Sequence, residues 1–223
     1  MKGTPLIGTG FYASAEDYEN KLRFLDIWLK NTPNQDIVIV DNSVRPLQLE
    51  NQPRVRVVRL NNNKGHADTF KGQFRPQLLG VSICWLIGAL IAYNEDRDFI
   101  YKEQDALCFG PWIEELYKRA GFYKLVVQMG YALCTPARVE CCLFWVDYDY
   151  IIELICKYTE ISEGDGKTTP EEKFDHVSRL DRRIAPISFG VGRDRPLPYD
   201  EPIWYGQRFT KEELEVLRER KLI

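Results

Sequence analysis

The run Asp36 to Asp41, DIVIVD, constrains the fold of this chain more than any other stretch. Four consecutive β-prone apolar residues without polar alternation suit a strand covered on both faces, and such strands belong to parallel sheets with helices above and below. The flanking segments agree. Pro5 to Thr9 has the character of a short strand, followed by a tight Gly8-Thr9-Gly10 turn and a helix from about Ser14 to Lys30. Ser14 and Asp17 have the spacing of a capping box, Tyr18, Leu22, Leu25 and Leu29 recur on one face, and the segment Asn31 to Asn34, with Pro33, ends the helix. Val55 to Leu60 (VRVVRL) makes a third strand, the turn-forming NNNKGH follows, and an apolar helix over Gln77 to Asn94 leads to a fourth strand at Phe99. This β-α-β-β-α-β order, without internal repeats, predicts an α/β fold with a central sheet and helices on both faces.

Composition narrows the classes. The 223 residues suffice for one domain with a substantial core, and 44% hydrophobic with 28% charged residues is ordinary for a globular chain. A formal net charge of -3 and the lack of a long basic run argue against a nucleic-acid binder. The six cysteines, at 84, 108, 134, 141, 142 and 156, show no C-x-x-C or zinc spacing and sit largely in apolar runs. A reducing, cytoplasmic setting is the simplest expectation. Leu78 to Tyr93 is apolar but short for a bilayer and interrupted by Gly80, Ser82 and Gly88, so it is expected to be a buried helix and not a transmembrane segment. The N-terminus lacks the pattern of a signal peptide.

In open α/β sheets ligands collect beyond the carboxyl ends of the strands, and four strand ends here carry polar chemistry. They are Thr9-Gly10-Phe11-Tyr12, Asp41-Asn42-Ser43, Asn63-Lys64-Gly65-His66 and Glu103-Gln104-Asp105. Asp41 can accept a hydrogen bond from a base or ribose, Phe11 or Tyr12 can stack on a base, and Lys64 or His66 can approach a phosphate. The last group lies in DFIYKEQDALCFG, where a β-prone apolar run ends in two carboxylates. Residues two apart on a strand face the same way, so Glu103 and Asp105 can converge on one hard cation carrying a diphosphate. The same acids also suit a solvated loop.

Two rival enzyme classes use similar parts. Gly8-Thr9-Gly10-Phe11-Tyr12-Ala13 fits the G-x-G-x-x-G/A dinucleotide fingerprint, with Asp41 ending the next strand, as in an NAD(P)-binding Rossmann-type enzyme. Against it, Glu16 and Asp17 occupy the helix start where a pyrophosphate needs positive potential. A nucleotidyltransferase would bring a basic glycine-rich loop near the first strand, which this turn lacks.

The order strand, DNS, VRVVRL-NNNKGH, apolar helix and FIYKEQDALCFG resembles glycosyltransferases of the GT-A fold, particularly small family 2-like members. The resemblance covers about residues 4 to 120 well and the remainder loosely. It implies one domain with a nucleotide-sugar-binding half at 1–120 and an acceptor half with a C-terminal tail at 121–223. It further implies a nucleoside diphosphate sugar donor, foremost a UDP-sugar, a Mn²⁺ or Mg²⁺ ion, and hexosyl or deoxyhexosyl transfer with inversion to a hydroxyl of a glycan or other acceptor. Asp105 becomes the direct metal ligand and Glu103 a water-mediated one, with Glu-Gln-Asp in place of the usual Asp-x-Asp. Thr9, Gly10, Phe11, Tyr12, Asp41, Asn42, Lys64, Gly65, His66 and Gln104 become donor-binding residues.

The second half carries the acceptor-side expectations. Pro111 to Arg119 and Tyr150 to Tyr158 suit helices, Tyr123 to Met129 and Glu140 to Val146 strands. Thr169 caps a helix that Pro170 begins, with Glu171 and Glu172 in its first turn. That acidic pair is similar to the dipeptide from which family 2-like enzymes draw their general base, making Glu172 the first candidate and Glu140 the second, although acids stabilise the first turn of any helix. The tail GVGRDRPLPYDEPIWYGQRF precedes a helix from Thr210 and offers Trp204 and Tyr205 either as sugar-stacking faces or as wrapping around the sheet. A GT-A-like domain that binds glycan or a partner without turnover is the non-enzymatic alternative.

Overall fold

The structure, a computed structural model, describes residues 4–32, 34–49, 52–61, 80–129, 139–161, 169–187 and 194–223. In chain order the first half contains β1 (Leu6–Phe11), α1 (Tyr18–Lys30), β2 (Asp36–Asp41), β3 (Val55–Arg59), α2 (Gly80–Asn94), β4 (Phe99–Lys102), β5 (Ala106–Phe109) and α3 (Trp112–Ala120). The second half adds β6 (Leu125–Met129), β7 (Val139–Val146), α4 (Ile151–Glu160), α5 (Pro170–Leu180), β8 (Ile184–Ile187), β9 (Trp204–Gln207) and α6 (Lys211–Glu219).

Seven strands form one sheet in the order β3-β2-β1-β4-β7-β6-β8. All pairings are parallel except those of β7, which runs against both β4 and β6. The expected mostly parallel α/β sheet is therefore present. Alternation along the strands splits the core into two layers. Ile7, Ile37, Ile39 and Ile100 pack with Leu25, Trp28 and Leu29 of α1, whereas Leu6, Val38, Phe99 and Tyr101 pack with Trp85, Leu86 and Ala89 of α2. β5 and β9 form a separate antiparallel ribbon on the α1 side.

The glycines near the N-terminus serve a purpose that differs from the expected tight turn. Gly8 and Gly10 lie inside β1. A Cβ at Gly8 would sit 2.5 Å from the Phe99 ring, and one at Gly10 would sit 2.8 Å from Cys84 Cβ on α2. Close approach of a helix and an aromatic ring to the strand is what selects glycine here, since such Cβ contacts would force both apart. α1 then starts at Tyr18, several residues beyond the strand. The compact strand-turn-helix geometry of a dinucleotide site is absent at this place. Ser14 and Asp17 do make the reciprocal bonds of a capping box, Ser14 N to Asp17 Oδ1 at 2.6 Å and Asp17 N to Ser14 Oγ at 3.3 Å, but they close the turn ahead of the helix.

The later helices follow their local signals. Thr169 and Glu172 form a capping box at α5 with Pro170 in the first turn, and Thr210 with Glu213 does the same at α6. α2 is buried along most of its length, and among the described residues no helix is long and apolar enough to cross a membrane.

Candidate active site

Glu103, Gln104 and Asp105 form the turn between β4 of the large sheet and β5 of the ribbon. They lie beyond the strand, so strand alternation is not what brings the two carboxylates together. The turn does, with Ala106 N donating to Glu103 O at 3.0 Å. Trp28 Nε1 of α1 donates to the same carbonyl at 3.0 Å, and Glu103 N donates to Cys142 O of β7 at 2.8 Å. Just past α1, Asn31 brackets β5 by donating to Cys108 O and accepting from Cys108 N, at 2.8 and 2.9 Å. The acidic turn is thus fixed from the helix, from the sheet and from the ribbon.

On the open side one carboxamide joins the acids. Gln207 of β9 is fully buried, and its Nε2 donates to Glu103 Oε2 at 2.8 Å and to Asp105 Oδ1 at 3.1 Å. Both carboxylates therefore reach a common point. Among the described residues no group of three or more His, Cys, Asp and Glu side chains is placed to hold a metal. The two half-buried carboxylates still present hard oxygen donors of the kind that Mg²⁺ or Mn²⁺ takes alongside phosphate and water, so the residues fit such an ion.

Two hollows meet at this turn. A narrow cavity at the strand ends is lined by Gly10, Tyr12, Asn42, Cys84, Glu103 and Gln104, among others. A cleft of about 500 Å³ lies on the other side, between α1 and the segment after β9, lined by Lys21, Phe24, Asp105, Arg208 and Phe209 with Glu103 and Gln104. Gln104 Oε1 accepts from Tyr12 N at 2.8 Å, which ties the turn to the end of β1. The Cys84 thiol facing the cavity is pushed up to about 12 by burial and by the nearby Asp41 carboxylate, so it stays protonated and unreactive. Arg208, exposed and at φ 54, and Lys21 supply positive charge opposite the acids. Sequence reasoning did not single out Gln207, Arg208 or Lys21; the short β-prone run WYGQ after the proline-rich tail was the one available hint of a strand.

The remaining expected residues divide. Thr9 and Gly10 belong to β1, and Asn42 N donates to Phe11 O at 2.8 Å. The Phe11 ring is buried edge-on against Tyr18, so of the two aromatics Tyr12 faces the cavity. Asp41 is buried and accepts from Ser43 N at 3.0 Å, Leu47 N at 2.7 Å and Arg59 Nη1 at 2.8 Å, among its donors, which shapes the loop after β2. Lys64, Gly65 and His66 lie outside the described residues. Glu172 spends its carboxylate on the helix cap, accepting from Thr169 N at 2.6 Å. Its neighbour Glu171 instead accepts from Cys141 Sγ of β7 at 3.7 Å, and both Glu171 and Glu103 act on that thiol, which burial and these charges hold well above its usual range. Glu140 is buried, accepting from Tyr205 Oη at 3.0 Å and Cys142 Sγ at 3.3 Å. Trp204 and Tyr205 are buried, Trp204 stacked on Phe109 at 4.1 Å, so neither offers a sugar-stacking face.

Solved structures share this architecture. A glycosyltransferase involved in the glycosylation of the major capsid of PBCV-1 is 10% identical with a TM-score of 0.51, over 99% of this chain and 100% of that one. The chain has the GT-A glycosyltransferase fold. The bifunctional glycosyltransferase WbbM in its apo form aligns at 10% identity and TM-score 0.51, over 83% of this chain and 39% of that one. The apo form of the glycosyltransferase GlyE of Streptococcus pneumoniae TIGR4 aligns at 7% and 0.51, over 83% and 45%. No protein-family model matches the sequence, and no curated protein does. Likeness at these identities speaks for the GT-A fold alone.

A buried cation lies directly under the acidic turn. Lys102 is fully buried, stands 4.1 Å from the Trp28 ring and donates to Asn31 Oδ1 at 3.2 Å and to Thr32 Oγ1. Desolvation pushes its ammonium down to about 8 from 10.5. Between those values the unfolded chain binds more protons than the folded one, so this group makes stability rise as pH increases from about 8 to 10.5, by roughly 3 kcal/mol in all. Lys102→Met removes that rise and leaves Asn31 and Thr32 their other partners. Urea unfolding of both proteins at pH 7.5 and 10 should show a smaller gain for the variant, and equal gains would refute the assignment.

Proposed function

We propose that the protein transfers a sugar from a nucleoside diphosphate sugar, foremost a UDP-sugar, to a hydroxyl acceptor. The observation that carries this reading is the convergence of Glu103 and Asp105 on one point at the strand-end edge, between a cavity on the β1 and β2 side and the larger cleft. In it, Tyr12 and Asn42 contact the nucleoside, Glu103 and Asp105 hold Mn²⁺ or Mg²⁺, and the cleft beside Lys21 and Arg208 receives the acceptor. An ion held by Glu103 and Asp105 would supply neutralisation of the charge on the departing diphosphate. The buried floor of Tyr101 and Cys84 keeps bulk water from the donor.

A carboxylate takes the proton of the attacking hydroxyl, and in-line attack then inverts the anomeric carbon. Glu171 is the first candidate of the acidic pair, because Glu172 is held by the helix cap whereas Glu171, like Glu103, acts on the Cys141 thiol. Glu171→Gln is expected to lower transfer by about 10² to 10⁴ with little change in melting temperature. Glu172→Ala should cost about 1 kcal/mol of stability and leave turnover within a few-fold. The reverse ranking would return the base to Glu172, and loss of transfer in Glu140→Gln alone would move it to β7.

The discriminating experiment is calorimetric titration of uridine, guanosine and thymidine diphosphates with and without Mn²⁺. Metal-enhanced binding of one of them supports the proposal. Binding of a dinucleotide in their place would favour a redox enzyme, against which the glycine packing inside β1 already speaks. Absence of any nucleotide binding would favour a glycan- or partner-binding domain.

A further inference from the structure

We infer that Gln207 is a reversible third oxygen donor of the cation site, its carboxamide turning over when the ion binds; this rests on the proposed metal role of Glu103 and Asp105. The amide is fully buried, and only one of its ends is satisfied. Nε2 bonds to both carboxylates, at 2.8 and 3.1 Å, while Oε1 is buried and has no hydrogen-bond partner among the described residues. A buried polar atom left unpaired is unfavourable, and native proteins rarely keep one unless it has a task.

Half a turn about the terminal bond exchanges Oε1 and Nε2 and leaves the shape of the side chain unchanged. The exchanged form brings three oxygens together. Without an ion these repel, and the donor end facing the acids is the stable arrangement. With an ion among them the order reverses. Ligand oxygens about 2.0–2.1 Å from an octahedral Mg²⁺ stand about 2.9 Å from their neighbours, which matches the separations between Nε2 and the two carboxylates. An oxygen at that position needs no backbone motion to complete a ligand face.

The backbone at Gln207 is held accordingly. It pairs with Ala106, the residue after Asp105, and its carbonyl accepts from Arg195 Nη2 at 3.0 Å. Only the amide torsion is left to respond. In the ion-free protein the amide also serves as a stand-in cation, damping repulsion between the acids and guarding the site.

The test is Mn²⁺ binding to the free protein, followed by electron paramagnetic resonance and by the rise in melting temperature with Mn²⁺. Gln207→Leu should weaken Mn²⁺ at least tenfold, and Gln207→Glu should tighten it and enlarge the thermal shift. A brace that only separates the acids predicts the opposite for leucine, because freeing two carboxylates leaves Mn²⁺ affinity equal or higher; that result overturns the inference and leaves the metal site standing. If the leucine variant fails to fold, the glutamate variant decides alone, with unchanged or weaker binding counting against. A wild-type protein that binds no Mn²⁺, even with a nucleoside diphosphate present, removes the metal from the proposed function and the role of Gln207 with it.

Discussion

Asp105→Asn is expected to reduce donor hydrolysis and transfer by about 10²- to 10³-fold while leaving the fold intact, a loss comparable to removing one charge-stabilising group from an active site. The reasons are local. Asp105 is half-buried in the turn, and its Oδ1 accepts from Gln207 Nε2 at 3.1 Å. Asparagine keeps a carbonyl oxygen there, so the ribbon retains its contact and the melting temperature should move little. What disappears is a unit of negative charge beside Glu103, where a divalent ion and a diphosphate have to be balanced. The same variant should lose the Mn²⁺-dependent part of nucleoside diphosphate binding. Turnover above about a tenth of wild type, measured with a saturating UDP-sugar and Mn²⁺, would remove Asp105 from the ion site.

The difference between what could and could not be foreseen follows sequence distance. DIVIVD, the Thr169-Pro170-Glu172 cap and the Thr210 cap are local signals, and each element formed where its own residues placed it. Gly8 and Gly10 carry a turn-like signature, yet their partners are Phe99 and Cys84, over seventy positions away, and a ring and a helix decide their conformation. The chemistry of Glu103 and Asp105 was legible because charged residues ending an apolar run are conspicuous. Their convergence was expected from strand alternation and is produced instead by the turn after β4, while the Gln207 amide that joins them was not legible, because it arrives through the pairing of Ala106 with Gln207 across about a hundred residues. For Trp204 and Tyr205 the sequence left two readings open, sugar-stacking faces or wrapping of the sheet, and burial in the β5–β9 ribbon decides for packing.

Gly110→Ala is expected to be the most destabilising single-methyl change in the described chain, and to disturb the site as well as the fold. Gly110 follows β5 with φ at +72, a region that costs an L-residue about 1–2 kcal/mol. A Cβ there would also lie 2.0 Å from Pro202 O and 3.1 Å from Pro202 C, and these are backbone atoms that no rotamer change can move aside. Relief requires displacing the chain entering β9, where Trp204 stacks on Phe109 and Gln207 meets the acidic turn. Strain and displacement together should cost about 3 kcal/mol or more, a fall of roughly 6–12 °C in melting temperature for a domain of this size. Gly121→Ala is the control for crowding: φ there is also positive, +46, with ψ at -108, so a side chain costs about 1–3 kcal/mol in conformation, but the nearest atom to a new Cβ is Arg119 O at 4.0 Å and nothing has to move aside. Because β9 carries the amide, Gly110→Ala should weaken Mn²⁺ binding as well, whereas Gly121→Ala should not. Equal melting temperatures for the two variants would show that the approach of Pro202 to β5 does not hold the ribbon in place.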